Sequence, residues 1–159
     1  MLQEMVLRPA VGMGQIVAVP YVVALGACDA LEGAGIAWPH DIVDVATGST
    51  LSHVNARGGY DSEGMFVKVE LDLDADVRES VQRRVDEWAQ GRTPAPLAAI
   101  LSDYADRLVQ LGKEVDVIFP NGKVHAHGTF AGVDVWGRAT VRLASGKLIE
   151  FAPEKYRIA

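Results

Sequence analysis

Four residues with chemically useful side chains stand together between two apolar runs. Trp38, Pro39, His40 and Asp41 belong to the stretch GIAWPHDIVD. A histidine donates, accepts or carries a proton near neutral pH, so the four residues suit one wall of a ligand pocket. They equally suit a structural kink, in which Trp38 packs, Pro39 fixes φ and Asp41 caps a turn. Both interpretations stay open at the level of sequence.

Two other groups of side chains have the chemistry to bind metal ions. His125 and His127 share one face of a predicted strand, and acidic residues recur in the run Glu70, Asp72, Asp74, Asp76. Two histidines without a third ligand are typical of a surface, and alternating carboxylates are typical of a solvated strand face. We therefore predict no metal site. The sequence also has no G-x-S-x-G, P-loop, C-x-x-C or H-E-x-x-H motif.

Composition narrows the function classes further. The 159 residues carry a net charge of -6, and the pI is about 5.1, which argues against nucleic acid or an anionic membrane as a partner. The one cysteine, Cys28, excludes an internal disulfide and fits a reducing compartment. The most apolar segment is interrupted by Pro20 and carries Asp29 and Glu32, so we predict no membrane span. Without a secretion leader, the expected location is cytoplasmic.

Hydrophobic periodicity places these residues on helices and strands. The stretch MFVKVELDLD alternates with period two and predicts a half-exposed strand, whereas 46–64 reads as turns around at most one weak strand. We predict helices at 15–31, 76–90 and 97–111, and strands around 36–37 and 42–45.

The pattern changes after Gly112. Short alternating strands follow, separated by PNG, WG and SG, as in a meander with tight turns. We therefore predict two domains, 1–112 and a small all-β module at 113–159.

These elements, in this order, resemble the biotin protein ligases and their relatives the lipoate ligases. GIAWPHDIVD is similar to the family's KWPND segment. VLRP and the alanine-rich helix after it are similar to the segment that precedes KWPND in the family. The C-terminal strands are similar to the family's SH3-like domain. The resemblance implies an α+β fold: a partial biotin-ligase-like catalytic domain, with a mixed sheet packed by helices, followed by a small SH3-like β-barrel domain. It implies the chemistry of biotin-[carboxyl-carrier-protein] ligase, with biotin and ATP/Mg as cofactors.

The sequence departs from the family where the adenylate would bind. No Gly/Arg-rich GRGRxG loop precedes VLRP, so we expect a truncated catalytic domain. The family's lysine after KWPND has no counterpart, because no lysine lies between Asp41 and Lys68, and Arg57 is the only cation there. His40 and Ala37 replace two residues of KWPND.

The strand that carries glycines and an asparagine in the family is also altered. Lys68 and Glu70 stand where the resemblance implies glycines, and Asp72 stands where it implies an asparagine of the adenine site. We assign no catalytic residue. The candidate ligand-binding residues are Trp38, Pro39, His40, Asp41, Arg57 and Asp72.

Three functions fit this pattern. We favour an accessory scaffold that is not a competent ligase alone and that binds a protein partner or a second copy, completing a ligand pocket with it. The alternatives are a module that binds a biotin-like carboxylate, and an active biotin or lipoate ligase in which Arg57 or Lys68 replaces the lost lysine.

Overall fold

The structure is a computed structural model that describes residues 1–91 and 94–159. Three α-helices and three antiparallel sheets make up this part of the chain, so the α+β class is confirmed. The first sheet has the strand order β1-β6-β5, with β1 (Leu2–Leu7), β5 (Asn55–Asp61) and β6 (Gly64–Asp72).

The alternation in MFVKVELDLD correctly predicted β6. Val67, Val69 and Leu71 are buried against the helices, while Lys68 and Glu70 face away from the core. This separation follows from the pleat, which sends successive side chains to opposite faces of a sheet. The outer face of β6 is therefore charged at these two positions.

The prediction for 46–64 was wrong, because this segment contains two strands. β5 pairs with β6 along its whole length, although its sequence, NARGGYD, has no apolar alternation. Backbone hydrogen bonds hold it, and its glycines let it cross the aromatic ring of Phe66. A Cβ on Gly59 would lie 2.7 Å from that ring.

A second, small sheet carries the motif at 38–41. Its strands are β2 (Ala34–Ala37), β3 (Asp41–Asp44) and β4 (Thr50–Ser52), in that order. The mixed sheet expected from the resemblance is thus replaced by two antiparallel sheets. The parallel pairing found in the described residues is one bridge between Ile36 and Leu108.

The helices pack on one another and against all three sheets. They are a 3₁₀ helix (Met13–Ala18), α1 (Val19–Ala30), α2 (Arg78–Gln90) and α3 (Leu101–Arg107). α3 is shorter than the predicted 97–111, because Leu108 turns to an extended conformation and the Val109 N–H donates to the Ile36 carbonyl at 3.0 Å. Pairing with β2 thus ends the helix.

The helical segment Met13–Ala30 is long and apolar enough to cross a membrane, with a mean hydropathy of 1.4 over 18 residues. In the fold, 56% of it is buried. α1 packs along α2, and residues Tyr21 to Cys28 are all buried. Its apolar character is therefore explained by its place at the centre of the core.

The third sheet contains the strands of the predicted meander. Its order is β10-β9-β8-β7-β11, with β7 (Glu114–Ile118), β8 (Val124–Val133), β9 (Ala139–Arg142), β10 (Leu148–Phe151) and β11 (Arg157–Ile158). No ladder joins β10 to β11 in the part of the chain that the structure describes, so the sheet is open and the SH3-like barrel is not found.

Contacts cross the predicted domain boundary at 112/113. The Gly112 N–H donates to the Phe130 carbonyl at 2.8 Å, and the Leu97 N–H donates to the Val135 carbonyl at 2.9 Å. One hydrophobic core includes residues from both sides. The two-domain division stays a prediction.

The closest approach of α1 and α2 depends on Gly26. A Cβ there would lie 2.7 Å from the Val81 Cα, which cannot move without shifting α2. We expect Gly26→Ala to lower the free energy of unfolding by about 2 kcal/mol, although alanine favours helix by about 1 kcal/mol. Urea denaturation measures the difference. Gly132→Ala is the control, since no atom lies within 4 Å of its Cβ position; equal losses in both variants would contradict the close-packing argument.

Candidate functional site

The motif at 38–41 forms the connection between β2 and β3. Ala37 and Asp41 are register partners, so residues 38–40 make a three-residue loop, in which the Trp38–Pro39 peptide bond is cis. The loop lies at the end of the small sheet, against α1 and α3. The sequence places an aromatic residue, a proline and a histidine at the point where the chain must reverse.

Trp38 is a structural residue in this loop. Its side chain is 2% exposed, and its indole Nε1–H donates to the Gly137 carbonyl at 2.9 Å. Its backbone N–H donates to Gln110 Oε1 at 2.8 Å. The carbonyl of Pro39, the next residue, accepts the Tyr104 hydroxyl at 2.5 Å. These bonds hold the loop through its backbone and its indole ring.

Gly137 joins this loop to the C-terminal sheet. Its carbonyl also accepts the Tyr21 hydroxyl, at 3.2 Å, so α1 and the loop share one acceptor in the turn between β8 and β9. The residue has φ +87, and a Cβ would lie 2.4 Å from the Tyr21 hydroxyl oxygen. Only glycine fits this junction.

His40 is the residue of the loop that faces open space. Its ring packs edge-on against Tyr21, with centroids 5.4 Å apart. Its Nδ1 is shielded from solvent and has no hydrogen-bond partner among the described residues. Burial lowers the pKa of His40 below its ordinary 6.5, and the nearby carboxylate of Asp41 offsets part of that shift. The ring is therefore neutral at pH 7.

Asp41 forms a side-chain contact with His53 rather than with His40. Its Oδ1 lies 2.8 Å from His53 Nδ1, in a pair that is partly open to solvent. The pairing of β3 with β4 produces this contact. Ile42 and Ser52 are register partners in this antiparallel pair, so the adjacent residues Asp41 and His53 lie opposite each other.

A cleft of about 450 Å³ opens beside His40, and we call it the β5 cleft. The N-terminal end of α1, the start of β5 and the outer face of β6 form its walls. Its lining residues are Pro20, His40, Val54, Asn55, Ala56, Arg57, Lys68 and Glu70.

The charged groups in the β5 cleft are incompletely paired. The Arg57 side chain makes no ion pair or hydrogen bond within the described residues, whereas its backbone pairs with β6. Lys68 Nζ lies 3.8 Å from both Glu4 Oε1 and Glu70 Oε1, which is longer than a charge-assisted hydrogen bond. An anion entering the cleft would therefore meet a guanidinium that forms no ion pair with the carboxylates of the described residues.

Of the candidate ligand-binding residues, His40 and Arg57 come together in the β5 cleft. Trp38 and Pro39 lie behind it, and Asp41 lies beside it with His53. Asp72 does not line it; its carboxylate accepts the N-terminal amine at 2.9 Å.

Lys68 and Glu70 were identified as replacements for glycines, and they form the floor of the cleft. Asn55 and Val54 were missed, because they lie in the segment read as turns.

The two histidines that were candidate metal ligands contact other side chains instead. His127 Nδ1 lies 2.7 Å from Asp116 Oδ1, which raises the pKa of His127, and His125 packs among the rings of Phe119, Phe151 and Tyr156. Within residues 1–91 and 94–159, no three His, Cys, Asp or Glu side chains are arranged to hold a metal ion.

No family model matches this sequence, and no curated protein sequence matches it significantly. Solved structures do match. The apo biotin protein ligase of Aquifex aeolicus superposes with a TM-score of 0.72 over 99% of this chain and 81% of that chain, at 15% identity. The chain has the fold of a biotin protein ligase. The same enzyme in complex with biotin and ATP gives a TM-score of 0.68 at 16% identity, over 99% and 77%.

The biotin-ligase fold expected from the motif order is thereby found. At this identity the likeness concerns the fold, so the truncation, the link to lipoate ligases and the roles of individual residues remain predictions. The cleft described above is consequently assessed on its own chemistry.

Because burial lowers the pKa of His40, folding favours its neutral form. The unfolded chain takes up a proton as the pH falls through 6.5, and the folded protein resists this, so stability is lost as the pH falls below that value. We expect His40→Phe, which removes the titration, to flatten the dependence of unfolding free energy on pH between 7 and 5.

The control for this measurement is His127→Gln. The pKa of His127 is raised, so its stabilisation is complete below 6.5 and is lost only as the pH rises through the folded pKa. This variant should keep the acid-side slope of the wild type. A slope unchanged in His40→Phe would contradict the assignment of a buried, neutral His40.

Proposed function

We propose that this protein is a biotin-ligase-like accessory protein that binds a second protein chain, which completes the β5 cleft. One observation carries the proposal: the wall of the cleft formed by β5 is a free strand edge. β5 pairs with β6 on one side, and no described strand pairs with its other side. A free edge presents unpaired N–H and C=O groups, to which another strand adds readily.

Exposed side chains beside this edge support the same proposal. Tyr60 at the end of β5 is 63% exposed, Met13 is 61% exposed, and the Tyr60 hydroxyl lies 2.6 Å from the Met13 sulfur. Neither lysine nor proline lies on β5 to discourage pairing. A second copy of the chain, pairing edge to edge, or a different protein would cover these groups.

The charges in the cleft support the proposal that this chain alone is not a competent ligase. A triphosphate with magnesium favours a strongly positive surface, whereas here Lys68 is paired with Glu70 and Glu4, which leaves Arg57 as the unpaired cation of the cleft lining. These residues do not fit a triphosphate, so additional cationic groups would have to come from the partner. We propose a cytoplasmic location, in keeping with the free, buried Cys28.

The partner surface is tested by placing a charge on the edge. We expect Tyr60→Lys to weaken self-association or partner binding by tenfold or more, because a lysine at a strand edge opposes pairing. Sedimentation velocity from low to high micromolar concentration detects a second copy. Comparative pull-down from the native lysate, followed by mass spectrometry, detects a different chain.

Trp136→Lys is the matched control, since Trp136 is 49% exposed in the turn between β8 and β9 and is not part of the β5 edge. Two results together would overturn the proposal. The wild-type protein would stay monomeric at high micromolar concentration, and it would retain the same lysate proteins as Tyr60→Lys.

A second candidate function is supported by the unpaired Arg57. A biotin-like carboxylate would pair with its guanidinium, and the cleft offers Pro20, Val54 and Ala56 as apolar contacts for the rest of such a ligand. In this alternative the protein is a small-molecule binding module.

We expect biotin at millimolar concentration to raise the melting temperature, and ATP to leave it unchanged. A ligand at 100 times its Kd adds about 2.7 kcal/mol to the unfolding free energy. Arg57→Gln should abolish the biotin effect. Arg78→Gln, at an arginine paired with Asp76 outside the cleft, should retain it. The absence of any shift or calorimetric heat with biotin and with lipoate would exclude this alternative.

A further inference from the structure

His127 on β8 lies between two carboxylates of β7. Its Nδ1 is 2.7 Å from Asp116 Oδ1, and its Nε2 is 2.9 Å from Glu114 Oε2. Strand register produces this arrangement, because Asp116 is the register partner of His127 and Glu114 lies two residues earlier on the same face of β7. Both ring nitrogens therefore face a hydrogen-bond acceptor.

The protonation state of His127 decides whether both contacts exist. An ionised carboxylate only accepts hydrogen bonds, whereas a neutral imidazole has one N–H and one bare nitrogen. In the neutral ring, one nitrogen lone pair would face a carboxylate oxygen. The imidazolium has an N–H on both nitrogens and makes both contacts. The two carboxylates consequently raise the pKa of His127 above 6.5, with the hydrogen bond to Asp116 as the largest cause.

The neighbouring strands hold Glu114 in place and add no competing contact to the ring. The Thr129 hydroxyl donates to Glu114 Oε1 at 2.6 Å, which leaves Oε2 for His127. The titratable side chains on the strands of this part of the sheet are Glu114 and Asp116 on β7, His125 on β8, Arg142 on β9 and Arg157 on β11. Arg142 and Arg157 are register partners of Thr129 and Ile118, each two residues along the strand from the Asp116–His127 pair.

A second histidine–aspartate pair provides a comparison within the same chain. His53 Nδ1 lies 2.8 Å from Asp41 Oδ1, and no second carboxylate pairs with its ring in the part of the chain that the structure describes. A neutral His53 keeps this contact by carrying its proton on Nδ1. The need for an N–H on both nitrogens is thus specific to the two carboxylates around His127.

We propose that His127 is a pH-dependent clamp between β7 and β8, closed while its ring carries two N–H groups and released as the pH rises. Because the pKa of His127 is raised, the stability it contributes is complete below 6.5 and is lost as the pH rises through the folded pKa. Release loosens β7, with which β11 is paired. This inference concerns the third sheet and goes beyond the partner and the ligand proposed for the β5 cleft.

The protonation of His127 is tested by imidazole ¹⁵N–¹H correlation spectra of the full chain, recorded as the pH is raised. We expect a titration midpoint above 6.5 for His127. Asp116→Asn and Glu114→Gln should each lower this midpoint, because each removes one carboxylate from the ring. Asp74→Asn, which changes the net charge equally outside the third sheet, should leave the midpoint unchanged.

Release of the clamp is tested by amide hydrogen exchange along β7. Between mildly acidic and mildly alkaline pH, we expect the protection factors of the wild type to fall about two- to fivefold, since exposed ion pairs contribute little to stability. His127→Gln has no charge to lose and should show the lower protection at both pH values. His53→Gln is the matched control and should retain the pH dependence of the wild type.

A wild-type midpoint at or below 6.5, a midpoint that neither carboxylate variant lowers, or a pH dependence of β7 protection that persists in His127→Gln would each overturn the inference. None of these results bears on sedimentation, on the pull-down with Tyr60→Lys or on biotin binding, so this inference and the proposed function fail separately.

Discussion

The carbonyl oxygen of Gly137 is the acceptor on which the site depends. It receives the indole N–H of Trp38 and the hydroxyl of Tyr21, and it belongs to a turn of the C-terminal sheet. Three parts of the chain that are far apart in sequence therefore meet at one atom. Because both donors are buried, losing the acceptor would leave two polar groups unsatisfied inside the core. The C-terminal sheet thus fixes the position of the loop that presents His40.

This arrangement explains why the residues of the motif divide into two roles. Trp38 is buried and its indole N–H donates to Gly137, and the half-buried Pro39 accepts the Tyr104 hydroxyl at its carbonyl. His40 is the next residue and lies on the other side of the turn, at the cleft. A rigid loop with one outward residue is suited to hold that residue at a fixed position against a ligand. The structural interpretation of the motif therefore applies to Trp38, and the ligand-binding interpretation stays a prediction for His40.

The functional proposals depend on what the first sheet leaves uncovered. Its inner face is buried beneath α1 and α2, whereas its outer face carries Lys68 and Glu70 and its edge is β5. The edge supports the proposal of a protein partner, since a free strand edge pairs with other chains. The charges of the outer face, unpaired or only weakly paired, support the proposal of a small ligand.

Sequence alone determined the elements whose pattern is local. The alternation of β6, the buried helix α1, the helix α2 and the strands of the third sheet all follow from hydrophobic period and turn residues, and the order of motifs was enough to expect the biotin-ligase fold. Tertiary structure decided the rest. β5 has no periodic signal, because its glycines and its backbone pairing with β6 hold it in place. α3 ends where Val109 pairs with β2. The meeting of His40, Arg57 and Glu70 in one cleft comes from strand register, which contacts between distant segments determine.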